Sequence, residues 1–164
     1  MKMKNGIVVL QTRIERELNQ IRKTVKRVEE KLAEVSSSRP DDFTIGGFAN
    51  YVHSFYNGTE NIFKLIAEYV DESRPQSAGW HRDLLSQMAL ELQGLRPAVL
   101  TAELAAVLED YLKFRHFFRH SYGFDIDWDE LKPKAEKLKP TFEKLETALQ
   151  QFFTFLQTAR QHIE

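Results

Sequence analysis

The stretch Lys113-Phe114-Arg115-His116-Phe117-Phe118-Arg119-His120-Ser121-Tyr122-Gly123-Phe124 contains five residues able to carry positive charge and five aromatic rings. A solvated charge run has no need of so many aromatics, so the basic groups are expected at the rim of a packed surface. Arginine offers forked donors suited to phosphate oxygens, and histidine exchanges a proton near neutral pH. Together they match the needs of metal-independent RNA cleavage. A histidine takes the proton of a ribose 2′-hydroxyl, and an arginine stabilises the charge building on the phosphate.

Helical geometry constrains how these side chains meet. At roughly 100° per residue, Arg115 and Tyr122 fall on nearly the same face of a helix, whereas Arg115 and His120 stand roughly 140° apart. A straight helix therefore does not aim both at one phosphate. Either the helix loosens near Ser121–Gly123, or a second chain supplies the missing half. The second route implies a twofold dimer with the two segments facing each other.

Other roles for these residues are simpler. His116 and His120 have the i, i+4 spacing of a metal pair, but no HExxH glutamate lies between them and the chain has no cysteine, so no metal site is assigned. His53 and His81 read as surface or hydrogen-bonded structural histidines. Phe114, Phe117 and Phe118 read as core. The acidic run Asp125, Asp127, Asp129 and Glu130 reads as a helix cap.

The elements that must carry this segment are helices, because almost nothing in the sequence alternates with period two. From Ile14 the apolar positions Leu18, Ile21, Val25, Val28, Leu32 and Val35 recur every three or four residues. Ser36 to Asp42, with Pro40, ends that helix. A second helix is predicted over Phe48–Val70, with Gly58 marking a kink or a close contact. A third runs from about Trp80 to Leu92, broken by Gly94-Leu95-Arg96-Pro97. Thr101 caps a fourth, which continues through Arg115 to Tyr122 and stops at Gly123. Asp127 and Glu130 fit a capping box for the fifth. Its ladder is Leu131, Ala135, Leu138, Phe142, Leu145, Leu149, Phe152, Leu156, Ala159 and Ile163, with a bend expected at Pro140. The expectation is an all-α, antiparallel bundle of about five helices forming one domain over residues 1–164.

Composition sets the limits. The chain has 164 residues, with 23 basic and 24 acidic side chains and a formal charge of −1, so nucleic-acid binding requires a local basic patch. The absence of cysteine removes disulfide frameworks and thiolate zinc sites. No apolar run approaches the ~20 residues of a membrane span. Ile7-Val8-Val9-Leu10 is too short for a secretory signal core, and a cytoplasmic location is expected.

Arg115-x4-His120-x-Tyr122 resembles the Arg-x4-6-His-x-Tyr signature of HepT-like ribonuclease toxins in the HEPN superfamily. The likeness extends to Gly79-Trp80-His81-Arg82-Asp83-Leu84-Leu85, to Arg96-Pro97, and to Arg115 through Leu131. This resemblance implies a dimeric HEPN-like bundle that cleaves tRNA or mRNA with no cofactor. Arg115 and His120 correspond to the catalytic pair; Arg119, from the same basic segment, is an auxiliary candidate. Tyr122 corresponds to the tyrosine that a partner antitoxin, the minimal nucleotidyltransferase MntA, modifies with AMP. The family often has asparagine just after the arginine; here His116 stands there, and it is a candidate to share the proton work. The alternative is a non-catalytic HEPN module that binds nucleotides or scaffolds a nucleotidyltransferase.

Overall fold

A computed structural model describes residues 2–35 and 38–162, with side chains from Asn5 onward. Five α-helices follow one another: α1 (Lys2–Glu34), α2 (Asp42–Tyr69), α3 (Trp80–Met88), α4 (Ala102–Arg119) and α5 (Trp128–Gln161), with a 3-10 turn at Gly123–Asp125. Among the described residues there is no strand, only an isolated bridge between Leu92 and Arg96. None of these helices is long and apolar enough to cross a membrane.

The predicted apolar ladders form one continuous core. On α1, Ile14, Leu18, Ile21, Val25 and Val28 are buried, while Leu32, and Val35 just past the helix end, are partly so. On α5 every ladder position from Leu131 to Leu156 is buried, and the helix runs unbroken through Pro133 and Pro140. Ile163, like Ser36 and Ser37, lies outside the described residues. The helix α2 is central, packing against all four other helices and the 3-10 turn. Gly58 marks a close contact between helices. A Cβ there would stand 2.7 Å from Ile21 Cγ1, so the missing side chain lets α1 and α2 approach.

Several helix ends differ from the sequence reading. Helix α1 starts well before Ile14, at Lys2, and so absorbs Ile7–Leu10. Helix α2 starts at Asp42 rather than Phe48. Asp41 is its N-cap, accepting from the Thr44 amide at 2.7 Å, and Ile45 already faces the core. That amide bond holds the Asp41 carboxyl below its usual range. Helix α3 stops at Met88, four residues early, because its terminal carbonyls are taken elsewhere. Val99 and Leu100 donate to Met88 O, and the Arg96 guanidinium donates to Gln87 O and Leu90 O.

Helix α4 has Thr101 as its cap, accepting from the Leu104 amide at 3.1 Å, but it ends at Arg119 rather than Tyr122. His120 N and the Ser121 hydroxyl both bond to Phe117 O, closing the last turn before Gly123 is reached. Asp127 caps α5 by accepting from the Asp129 amide at 2.9 Å.

Candidate functional site

Glu60 is a charged residue set within the core. On α2 it shares a line with Val52, Tyr56, Phe63 and Ala67, all core positions, and it is 1% exposed. A carboxylate there needs partners, since an unpaired buried charge is costly. It has three. His81 Nδ1, at the start of α3, is 2.7 Å from Oε2; Arg115 Nη1, from α4, is 3.5 Å from the same oxygen; and Lys64 Nζ is 3.7 Å from Oε1. Thus three helices meet on one buried carboxylate.

The contact to Glu60 decides the state of the His81 ring. A carboxylate only accepts, so Nδ1 carries the proton and donates it. Arg115 Nη1 also lies 3.0 Å from Nδ1, but a donating nitrogen cannot accept in turn. The guanidinium is therefore held by the charge of Glu60. The His81 ring is also stacked on Trp80 at 3.6 Å, and Lys64 and Arg74 stand over that indole at 5.0 and 5.4 Å.

The Arg115 side chain is 12% exposed and incompletely satisfied. Its Nε is buried without a partner, and Nη2 makes no hydrogen bond among the described residues. Two further unpartnered buried atoms, Tyr56 Oη and His53 Nδ1, sit where the Arg115 charge acts on them. Burial, and then the charge of Glu60, pushes the Tyr56 hydroxyl well above its ordinary pKa. Burial, followed by Arg115 and Arg119, pulls the His53 pKa below its ordinary value.

A cleft of about 860 Å³ opens beside this cluster, and it gathers most of the basic segment. Arg115, His116, Arg119 and His120 line it together with His81, Arg82 and Phe117. Arg115 and His120 thus share one concavity within a single chain. The helix α4 ends at Arg119, ahead of the Ser121–Gly123 stretch where loosening was expected, and His120 is its C-cap with φ −112° and ψ 6°. The His116 and His120 rings meet edge to face at 4.9 Å, so the residue after the arginine packs against the proposed proton carrier.

Two expectations are corrected here. Tyr122 does not continue a helical face with Arg115, because the chain leaves the helix before it. It is extended at φ −76° and ψ 148°, is 73% exposed, and stacks on the equally open Phe124 at 5.5 Å. It is not among the residues lining the cleft. Phe117 is not core: it is 46% exposed on the cleft wall, whereas Phe114 is buried and Phe118 packs partly buried against His53.

Sequence reasoning missed Glu60. The signal existed, since a glutamate interrupts the apolar line of α2 at a position spaced like its buried neighbours. His81 is a hydrogen-bonded histidine, as read from the sequence, but it also lines the cleft.

A family model described as HepT-like protein matches residues 47–156, more than half of the chain. No curated protein and no solved structure gives a significant match. The matched span begins inside α2 and includes Glu60, α3, α4 and most of α5.

Proposed function

The chain belongs to the HepT-like family of the HEPN superfamily, and from that premise we propose that it is a metal-independent endoribonuclease, the toxin of a toxin–antitoxin pair. The observation that carries this reading is the sharing of one cleft by Arg115 and His120, with Arg119 and His116 on the same wall. In this reading Arg115 binds the scissile phosphate and stabilises the charge that grows on it. His120 moves a proton during cleavage, and Arg119 and His116 assist from the same wall. The substrate is tRNA or mRNA, recognised first through its phosphates by a local basic patch on a nearly neutral chain.

Control would act at Tyr122. An exposed phenol next to a tight turn suits modification by a second enzyme, a minimal nucleotidyltransferase resembling MntA. AMP transfer joins the tyrosine oxygen to the α-phosphorus of ATP and releases pyrophosphate. The new phosphate then competes with RNA for Arg119 and Arg115. The exposed rings of Phe117, Tyr122 and Phe124 also suit a homodimer in which two copies of this segment face each other.

The test is cleavage of tRNA and mRNA by the purified chain, with and without EDTA, before and after incubation with the nucleotidyltransferase and ATP. Cleavage that resists EDTA and disappears with a mass gain of one or more AMP groups on Tyr122 is the expected result. Tyr122→Phe should keep cleavage and escape silencing. Silencing of that variant with no mass gain would replace modification by simple binding.

A further inference from the structure

Cleavage of RNA by its own 2′-oxygen requires two proton transfers, and His120 supplies one. We infer that His81 supplies the other, as the base that takes the 2′-hydroxyl proton, with Glu60 as its positioning residue. This rests on the ribonuclease reading above.

The surroundings of the His81 ring fix which nitrogen is protonated. Its Nδ1 is turned onto a carboxylate that is 1% exposed, at 2.7 Å, and must carry the proton. The lone pair of a neutral His81 then lies on Nε2, which makes no hydrogen bond among the described residues, on a ring that lines the cleft. Stacking on Trp80 at 3.6 Å fixes the ring plane. Among the described residues the His120 ring has no comparable anchor, only its contact with His116.

The charges around His81 favour this role. Glu60 and Lys64 approach from α2 and Arg115 from α4, so the carboxylate is already matched by two cations. A histidine is not needed to neutralise it. Glu60 instead holds the tautomer and offsets the imidazolium once the proton arrives, as a buried carboxylate does behind a catalytic histidine. Arg115 and this ring are neighbours in one cleft, with Arg115 Nη1 3.0 Å from Nδ1, so a phosphate held there by Arg115 comes to the cleft that the ring also lines.

The 2′-hydroxyl proton passes to His81 Nε2 as the 2′-oxygen bonds to phosphorus. The bond from phosphorus to the 5′-oxygen breaks, and that oxygen takes a proton from the His120 imidazolium. The products are a 2′,3′-cyclic phosphate and a 5′-hydroxyl.

The deciding variant is His81→Asn, whose amide nitrogen can still donate to Glu60 while the second ring nitrogen is lost. Two RNA oligonucleotides are compared, one natural and one with sulfur in place of the 5′-bridging oxygen, a leaving group that needs no proton. Removing the base should lower kcat about 100-fold or more on both. Affinity for a 2′-deoxy oligonucleotide should stay within about threefold. His120→Ala should be slow on the natural RNA and rescued by sulfur. Glu60→Gln should loosen the Nδ1–H tautomer of His81, read by nitrogen-15 NMR. Wild-type rates in His81→Asn, with His120→Ala inactive, would overturn the inference and leave the ribonuclease reading standing. Rescue of His81→Asn by sulfur would make it the acid and overturn its assignment as base. If the wild-type chain cleaves neither substrate, the ribonuclease reading falls and this assignment falls with it.

Discussion

Arg96 and Arg115 are both withdrawn from solvent, and they are held in opposite ways. Arg96 sits in the loop after α3, fully buried against an equally buried Asp71. Its Nε and Nη2 reach the two Asp71 oxygens, Nη1 bonds Leu90 O and Pro97 O, and Nη2 also bonds Gln87 O. Five contacts match the five N–H donors of a guanidinium. Gln87 adds its own bond to Asp71 at 2.7 Å, closing the network. Arg115 faces a buried carboxylate too, yet Nε has no partner and the cleft lies open beside it. Burial of an arginine is therefore a poor guide to its role. Incomplete bonding beside an open cleft is the better one, because a fully bonded guanidinium clasps the chain and one that lines a cleft can still meet an anion.

The comparison can be broken most directly by removing each arginine in turn. Arg115→Ala and His120→Ala should each lower RNA cleavage by about 10²–10⁴-fold in a rate assay. His120 is exposed, so its variant should melt like the wild type. Arg115→Ala should also lose some stability, since it takes one of three partners from Glu60. Equal cleavage by the Arg115 variant would erase the distinction between the two arginines.

Arg96→Ala should act on the fold instead. Breaking a buried pair of this kind costs about 3–5 kcal/mol, measured as a shift in the urea midpoint. Arg96→Lys should recover little, because a point charge cannot serve five separate acceptors. A fully stable Arg96→Ala would mean that the clasp is dispensable.

The smallest effect concerns His53, which lies under the charge of Arg115. Its folded-state pKa is held below the ordinary 6.5 by burial and by Arg115 and Arg119. The unfolded chain thus takes up a proton that the native state resists, so stability falls as pH drops from about 7 towards 5. His53→Gln should make the fall in melting temperature over that range shallower. An unchanged slope would assign the acid sensitivity to other groups.

The helices were legible because each ladder, from Ile14 to Val28 and from Leu131 to Leu156, is a repeat within one segment, and a repeat at helical spacing selects a face whatever it packs against. The caps at Thr101 and Asp127 were legible for the same reason, being bonds across two or three residues. The early end of α4 was not, since it depends on how His120 and Ser121 compete for one carbonyl of Phe117. Glu60 was the deepest omission. Its partners His81 and Arg115 come from different helices, with 21 residues from Glu60 to His81 and 34 more to Arg115. Local spacing therefore determined which residues face inward, and sequence alone carries that information. Which inward-facing charges meet was decided only by the crossing of α2, α3 and α4, because Coulomb attraction and hydrogen bonding act over a few ångströms of space and are blind to chain order.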